Sequence, residues 1–569
     1  MEAGKRSISD VFNGNRVLEI PFFQRSYVWD EDQWERLLDD MQTISLLNKP
    51  YFLGSIILKQ QPTGTEKTAG DIRTIVDGQQ RLTTLNLFFK VLCLKLDKND
   101  SFNRIFRLIS DDIALKHNHN DIDDFNRVLN LNDLEPLDGN SHIIKAYEFF
   151  RRELNTETVH FNIVLSQITF VVIDLALEED EQQIFDTINS LGVRLTTAEL
   201  LKNYFFGRND IHTYIVNWRD VFEKDDETKN FWDKEVTAGR VKRSNIDLFF
   251  YSFLQIKLQD KNLKVRAEDK KNLSKVEGLF DSYKEFISKY SIDKTELIHE
   301  IKRYALVYMK NLDVTVVQRE LTQEYGVERI NTIVFGLENT TVIPYILYVL
   351  LNVHDLGEQQ KIFMYLESYL MRRLVVHATG KNYNQLFSEQ LISNQCLTQS
   401  ELQELIEEKS DKVNFMPSDE ELKKGFSSAL LTNKHSLGIL YMIESFIRNR
   451  VIHSTALLGL DKYSLEHIMP KKWENHWGSV ESEEKRVERN RKLMTLGNLT
   501  MLTSSLNTSI RDADWLTKKQ GKKDKKGLLT YAAGLDTFSG YLDVSDWNES
   551  VIDDRADFLF EHAKQVWKL

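Results

Sequence analysis

The chain has 569 residues, of which 41% are hydrophobic, with only 7 Pro and 2 Cys and a formal net charge of -12. This length predicts about three domains, and the composition is typical of a helix-rich globular protein. No apolar run approaches the roughly 20 residues that cross a bilayer, and the N-terminus lacks the apolar core of a signal peptide. Two cysteines argue against a disulfide framework and a cysteine-based zinc site. We therefore expect a cytoplasmic protein with no membrane partner.

The first 205 residues have the pattern of a mixed α/β domain. Apolar runs over 52–58, 72–76 and 163–175 contain β-branched residues and predict buried strands. Helical spacing of apolar residues over 83–96 predicts a helix directly after the second strand. Further helices are expected over 181–190 and, after a cap at Thr196 or Thr197, through Phe205.

The sequence Asp77-Gly78-Gln79-Gln80-Arg81 lies at this strand-to-helix turn. Gly78 allows a tight turn, and the backbone N–H groups that follow it can point at an anion. Arg81 can grip a phosphate, Gln79 and Gln80 can donate further hydrogen bonds, and Asp77 can hold magnesium or orient Arg81. A simple helix cap with a buried Asp–Arg pair is an equally good interpretation from the residues alone.

A second conspicuous element precedes the first strand, at Gln24-Arg25-Ser26-Tyr27-Val28-Trp29. Arg25 is a candidate second cation for a phosphate, and the two aromatic side chains either stack on a base or pack in the core. The chain has no GxxxxGK[ST] sequence, which argues against a P-loop nucleotide site.

Residues 206–440 form a succession of amphipathic helices, with Trp218, Trp232 and the Phe249-Phe250-Tyr251 run as expected core anchors. A helix over 437–450 leads into a last domain, so we predict domains at 1–205, 206–440 and 441–569.

The last domain contains Glu466-His467, then Gly497-Asn498 and Asn507. A neutral imidazole can take a proton from water near neutral pH, which suits His467 as a general base. Glu466 and a later amide oxygen can hold one hard divalent cation. Residues 485–526 carry twelve Lys or Arg against four Asp or Glu, a basic segment suited to DNA phosphates or, alternatively, a solvated loop.

These C-terminal motifs resemble an HNH nuclease with a ββα-metal finger, of the kind found in the GmrSD family of modification-dependent (type IV) restriction enzymes. The resemblance implies that His467 is the base, that Glu466 and Asn507 bind the metal, and that Asn498 braces the loop. It also implies that Lys518 touches DNA phosphate. Where family members often have another Asn, this chain has Arg511-Asp512, so a third side-chain ligand stays open.

The first 205 residues resemble the N-terminal domain of the same family, whose fold is similar to ParB and sulfiredoxin. The matching pieces lie at 21–29, 52–56, 77–81 and 184–189. In that family the domain binds and hydrolyses nucleoside triphosphates, and the hydrolysis regulates the nuclease. The implied nucleotide-binding residues are Gln24, Arg25, Asp77, Gly78, Gln79, Gln80, Arg81 and Asn189.

The expected fold is therefore α+β and mostly helical: an N-terminal α/β domain, a helical middle region and a C-terminal nuclease domain. The expected function is an NTP-regulated endonuclease, dependent on Mg²⁺ or Mn²⁺, that cleaves modified phage DNA. The sequence does not decide whether the nucleotide is GTP, ATP or another, which DNA modification is recognised, or whether the protein is a homodimer. The alternatives are a DNA-binding regulator that does not cut, and an NTPase whose C-terminal unit only recognises a partner.

Overall fold

The computed structural model describes most of the chain. The described residues are 2–22, 24–61, 71–118, 120–176, 196–207, 210–239, 241–275, 278–408, 413–449, 451, 453, 456–503, 513–522, 525–532 and 534–569. Within this part of the chain, no helix has both the length and the apolar character needed to cross a membrane.

The fold is mixed α+β with predominant helix, as predicted, and the chain divides into two compact units, Met1–Val216 and Asn217–Leu569. The first division lies near the predicted boundary at residue 205. No division occurs near residue 440, because the helix Asn433–Ile447 packs against both strands of the C-terminal hairpin. The predicted middle region and last domain thus form one unit.

Unit 1 contains a six-stranded mixed sheet in the order β1-β6-β3-β4-β2-β5. Its strands are β1 (Glu2–Ser7), β2 (Arg16–Glu19), β3 (Tyr51–Gln60), β4 (Asp71–Asp77), β5 (Leu115–Lys116) and β6 (Ile168–Leu175). Strand β3 lies between antiparallel β4 and parallel β6. The predicted strands at 52–58 and 72–76 are confirmed as β3 and β4.

The third predicted strand, 163–175, is wrong in its first part. Residues Phe161–Gln167 form a helix, and only Ile168–Leu175 is a strand. Phe161 and Val164, three positions apart, are the buried residues of the helix, whereas burial in β6 alternates every second residue. Within this one apolar run, the spacing between buried residues thus changes from about three, as in a helix, to two, as in a strand.

The helix Gln79–Lys95 lies at the centre of unit 1, with most of its residues buried among surrounding helices. It begins four residues before the predicted start, directly after Gly78. The helices of this unit are Ile8–Val11, Glu31–Leu47, Gln79–Lys95, Asn99–Phe106, Ile122–Leu129, His142–Glu153, Phe161–Gln167, Thr197–Phe205 and Ile211–Tyr214. The predicted cap at Thr196 is confirmed by a reciprocal capping box with Glu199. The predicted helix 181–190 lies outside the described residues.

Unit 2 is mainly helical in its first two thirds. Its α-helices there are Asp226–Asp233, Asn245–Leu258, Ala267–Leu273, Leu279–Lys289, Lys294–Asn311, Val327–Asn331, Ile343–Asn352, Leu356–Val375, Tyr383–Gln385, Leu391–Ser393, Gln399–Glu408, Asp419–Ser428 and Asn433–Ile447. A small hairpin joins β7 (Glu235–Ala238) to β8 (Val241–Ser244). Four of the predicted anchors are buried, namely Trp218, Trp232, Phe249 and Phe250, whereas Tyr251 is only partly buried.

The last third of unit 2 contains the hairpin of β9 (Tyr463–His467) and β10 (Leu499–Thr503), followed by the short pair β11 (Gly521–Lys522) and β12 (Lys525–Lys526). Its helices are Glu483–Lys492, Trp515–Gln520, Leu528–Tyr531 and Glu549–Val566. The last helix packs against the turn Leu496–Asn498 that leads into β10. A Cβ on Gly497 would lie 2.1 Å from the carbonyl oxygen of Ile552, so this close approach requires glycine.

Candidate functional site

The Glu–His pair lies at the end of β9, in an antiparallel hairpin. His467 is opposite Leu499 and Glu466 is opposite Thr500. Successive side chains of a strand point to opposite faces, and the strand ends at His467. The helix Trp515–Gln520 lies beside this hairpin, since Lys518 on the helix contacts both Glu466 and His467.

Asn498 holds the two sides of the hairpin together at its open end. Its Nδ2 donates to the carbonyl oxygens of Met469 and Leu493, each over 2.9 Å. Its Oδ1 accepts from the backbone N–H of Met469 over 2.9 Å and from the indole of Trp547 over 3.0 Å. The side chain is fully buried. These contacts join the loop after His467 to the turn before β10, and the loop-bracing role of Asn498 stays a prediction.

Arg555 fixes the same turn from the last helix. Its guanidinium donates to the carbonyl oxygens of Leu496, Gly497 and Leu499 at 3.2, 2.9 and 2.7 Å. Sequence reasoning missed both Arg555 and Trp547. Their partners are distant in sequence, and no local motif marks either residue.

His467 has the protonation state that a general base needs. Burial, with added repulsion from Lys471 and Lys518, lowers its pKa to about 4, so the imidazole is neutral near pH 7. Its Nε2 is buried and has no hydrogen-bond partner among the described residues. An unpaired nitrogen in a buried imidazole is available to accept a proton or to bind a ligand.

Glu466 is buried beside Lys518, whose Nζ lies 2.5 Å from Oε1 of the carboxylate. Burial raises the pKa of Glu466, while the ammonium group and its hydrogen bond oppose that rise. Lys518 also donates to the carbonyl oxygen of His467 over 2.7 Å. The predicted contact of Lys518 with DNA phosphate does not fit this position, because its ammonium group is directed into the protein.

A divalent cation fits part of this arrangement. Glu466 supplies a carboxylate, and carboxylate oxygen suits Mg²⁺ and Mn²⁺. Asn507, the second predicted ligand, lies outside the described residues, as do Arg511 and Asp512. Among the side chains that the structure describes, no three His, Cys, Asp or Glu converge on one point.

The basic segment is partly neutralised by acidic residues from outside it. On the helix Glu483–Lys492, four cations form ion pairs: Lys485 with Glu481, Arg486 with Glu474, Arg489 with Glu549 and Lys492 with Asp553. By contrast, Lys471 and Lys472, which lie four and five positions after His467, are exposed and have no ion pair within the described residues. They are better placed to meet a phosphate than most of the predicted segment.

In unit 1, the Asp77–Arg81 sequence forms the predicted strand-to-helix turn. Gly78 has φ +101°, in the left-handed region, and a Cβ there would lie 3.1 Å from Ile56. No side chain caps the helix Gln79–Lys95 at this end within the described part of the chain. Its first N–H groups are thus available to an anion.

Arg81 lies across β3. Its guanidinium donates to the carbonyl oxygen of Ser55, and its Nη2 lies 3.7 Å from Asp77. Gly54, with φ +129°, leaves room for this group, since a Cβ there would be 3.1 Å from Nη1. The Asp–Arg pair of the alternative interpretation is therefore present, although both side chains keep some exposure.

Two of the predicted nucleotide-binding amides hold backbone instead. Gln80 accepts from the N–H of Val28 over 2.9 Å and donates to the carbonyl oxygen of Ser26 over 3.1 Å. Gln24 donates to the carbonyl oxygen of Ile75 over 2.8 Å. Both amides tie the segment before β3 to the turn, which is a structural role.

Both aromatic residues of that segment that were candidates for base stacking pack against the core of unit 1, Tyr27 fully buried and Trp29 partly buried. Tyr27 is buried, and its hydroxyl bonds to Thr84 and accepts from the indole of Trp34. Core packing is thus the correct interpretation for Tyr27.

A polar run at His117-Asn118, with Asp121, was missed by sequence reasoning. Asn118 donates to the carbonyl oxygens of Gln24 and Arg25, and Asp121 accepts from the N–H of Tyr27 over 2.7 Å. Asp121 also lies 3.5 Å from the buried His117. The available signal was a dense cluster of His, Asn and Asp between apolar runs.

Arg25 and Gln79 keep polar groups without partners at this place. The backbone of Arg25 accepts from Gln79 and Asn118, while its guanidinium forms no ion pair or hydrogen bond with the described residues. Oε1 of Gln79 is buried and likewise without a partner in the described part. Asn189, the last predicted nucleotide contact, lies outside it.

Two family models match the chain. The model described as GmrSD restriction endonuclease, N-terminal domain, matches residues 8–206. The model described as GmrSD restriction endonucleases, C-terminal domain, matches residues 416–562. The two matches follow each other in chain order and together cover more than half of the sequence. A comparison with curated proteins gives no match.

Proposed function

Because the chain belongs to the family of GmrSD restriction endonucleases, we propose that it cleaves DNA in a metal-dependent and NTP-regulated reaction. The observation that carries the proposal is the state of His467: a neutral imidazole with a buried, unpaired nitrogen at the end of a braced hairpin. This is what an HNH-type general base requires.

The hydrolysis follows from the residues at the hairpin. His467 takes the proton of the attacking water, because its imidazole is neutral near pH 7. Glu466, together with Asn507, would hold Mg²⁺ or Mn²⁺. When bound, that cation polarises the phosphodiester and stabilises the leaving oxygen. Asn498 keeps the loop after His467 in place, since it bonds both the N–H and the carbonyl of Met469.

The substrate in this proposal is double-stranded DNA, positioned by phosphate contacts from Lys471 and Lys472. These side chains are exposed, follow the Glu–His pair and have no acidic partner in the described part of the chain. We propose that the DNA is modified phage DNA, in keeping with a restriction enzyme. Because each chain has one proposed metal site, the protein cuts both DNA strands either as a homodimer or by two successive nicks.

Unit 1 is the proposed nucleotide-binding part. Within the described part of the chain, the start of the helix Gln79–Lys95 has no side-chain cap, and neither the guanidinium of Arg25 nor Oε1 of Gln79 has a partner. These features support binding of a triphosphate such as GTP or ATP. Arg81 and Asp77 lie at the same turn. Gln24 and Gln80 serve this site indirectly, because they hold its backbone.

The test is cleavage with Mg²⁺ or Mn²⁺ of unmodified plasmid and of modified phage DNA, with and without NTP, by the wild type and by His467→Ala. Cleavage of modified DNA alone that depends on NTP and is lost in His467→Ala supports the whole proposal. DNA binding without any metal-dependent cleavage points instead to a regulator, and triphosphate turnover without DNA cleavage points to an NTPase module.

A further inference from the structure

Lys518 is a fully buried cation beside the candidate site. It comes from the helix Trp515–Gln520, which is capped by Asp514. Its side chain has no exposed surface, and its ammonium group reaches both the carboxylate of Glu466 and the carbonyl oxygen of His467. Burying an ammonium group costs free energy, so such a group persists only where its hydrogen bonds and its counter-ion compensate.

The two contacts connect adjacent residues in different ways. The ammonium group of Lys518 lies 2.5 Å from the side-chain carboxylate of Glu466 and 2.7 Å from the backbone carbonyl oxygen of His467. Neighbours on a strand otherwise point to opposite faces, and nothing in a regular ladder fixes one side chain relative to the next. A single ammonium group holds both residues where the strand ends.

We propose that Lys518 is a positioning residue, which orients the carboxylate of Glu466 and fixes the backbone of His467 so that both side chains serve one metal site. The proposal rests on the nuclease function proposed above. Lys518 contacts Oε1 of the Glu466 carboxylate, the group proposed to bind the cation. Partners of this kind around a metal ligand change metal affinity or activity by about 10–100-fold when they are removed.

The competing assignment is a contact with DNA phosphate, and the two make different predictions. A lysine that contacts phosphate weakens DNA binding when it is neutralised, and it lowers the salt dependence of binding by about one unit of slope. A positioning lysine leaves DNA binding intact and weakens metal binding. The buried position predicts the second pattern.

The experiment uses the full chain with Lys518→Met, which keeps the length of the side chain without its charge. Lys519→Met is the matched control, since this neighbour on the same helix is partly exposed and reaches only the carbonyl oxygen of Val544, at 3.4 Å. Three quantities are measured: Mn²⁺ affinity by electron paramagnetic resonance, DNA affinity over a salt series without a catalytic metal, and single-turnover cleavage.

For Lys518→Met we expect Mn²⁺ affinity lower by about 10–100-fold and cleavage slower by a similar factor, with DNA affinity and its salt slope equal to those of Lys519→Met. Unchanged Mn²⁺ affinity overturns the proposal, whether or not DNA binding weakens. Because Mn²⁺ affinity is measured without substrate, it tests Lys518 even if no DNA is cut, and a wild type that binds Mn²⁺ without cutting counts against the nuclease function alone.

Loss of folding in Lys518→Met is addressed by the double variant Glu466→Gln/Lys518→Met. Removing both charges leaves no uncompensated carboxylate, so its Tm should exceed that of Lys518→Met. If Lys518→Met does not fold, Lys518→Arg provides the decisive reading: it keeps the charge with a different shape, and Mn²⁺ affinity equal to wild type would overturn the positioning role.

Discussion

Trp547 donates a hydrogen bond from its indole nitrogen to Oδ1 of Asn498 over 3.0 Å. With this contact, the Asn498 amide forms four hydrogen bonds, two through each end of the group. The start of β10 is therefore held by a residue 49 positions later in the chain. The loop after His467 depends on the packing of the C-terminal residues as much as on its own sequence.

Asn498→Ala should lower the free energy of unfolding of unit 2 by about 3 kcal/mol, because buried backbone groups of Met469 and Leu493 lose their partner. Chemical denaturation measures the change. Asn475→Ala, at an exposed amide of the same unit, should stay within about 0.5 kcal/mol of wild type. A loss at Asn498 no larger than at Asn475 would contradict the bracing role.

His467→Ala should slow DNA cleavage by about 10²–10⁴-fold, since it removes the only proposed proton acceptor. DNA affinity without a catalytic metal should not change. His476→Ala, at an exposed imidazole nearby, is the control and should cut as wild type does. Equal rates for the two variants would remove His467 from the mechanism.

Lys471→Gln and Lys472→Gln should each weaken DNA binding and lower its salt slope by about one unit, because each removes one phosphate contact. Lys485→Gln is the matched control, as this lysine is already paired with Glu481 at 2.7 Å. DNA titrations over a salt series measure the affinity and the salt slope of each variant. If Lys485→Gln weakened DNA binding as much as Lys471→Gln, DNA binding would depend on the general positive charge of the surface and not on specific phosphate contacts.

Arg25→Ala should weaken triphosphate binding by about 10–100-fold, the loss expected for charge-assisted hydrogen bonds. The free energy of unfolding should hardly change, since the guanidinium has no partner among the described residues. Gln80→Ala should destabilise unit 1 instead, because Val28 and Ser26 lose their hydrogen bonds. Nucleotide titration and thermal unfolding are run on both.

Arg104→Ala, at an exposed arginine of the helix Asn99–Phe106, provides the control for a general loss of positive charge. It should bind triphosphate as wild type does. If Arg25→Ala binds equally well, the phosphate site lies elsewhere in unit 1.

The stability of unit 1 should fall in acid because of His117. Burial lowers the pKa of its imidazole to about 3, whereas the unfolded chain has the ordinary value near 6.5. Between these values the unfolded state binds the extra proton, so stability is complete above pH 6.5 and is lost as the pH falls toward 3. The limiting slope is about 1.4 kcal/mol per pH unit.

Unfolding of the wild type and of His117→Gln between pH 7 and pH 4 measures this contribution. The variant should show a shallower dependence on pH, although it is less stable at pH 7 because the bond from His117 to Thr83 is changed. His160→Gln, at an exposed imidazole, is the control. Parallel curves for wild type and His117→Gln would show that His117 is not the acid-sensitive group.

Local patterns were sufficient for several features. The apolar runs of β3 and β4, the Gly78 turn and the Thr196 cap all depend on residues within a few positions of one another, and the structure contains each of them. The strand predicted at 163–175 was wrong because one apolar run contains two periods, and composition alone does not show where the period changes.

The family motifs, their order along the chain and the residues able to do the proposed chemistry are all visible in the amino-acid sequence. Which of those residues have side chains available for that chemistry depends on the fold. Gln80 and Gln24 form hydrogen bonds with backbone groups, and Lys518 is buried against Glu466. In each case the partner is a residue distant in sequence that the fold brings into contact. A side chain's chemistry is local, but its availability depends on partners that the fold brings from far along the chain.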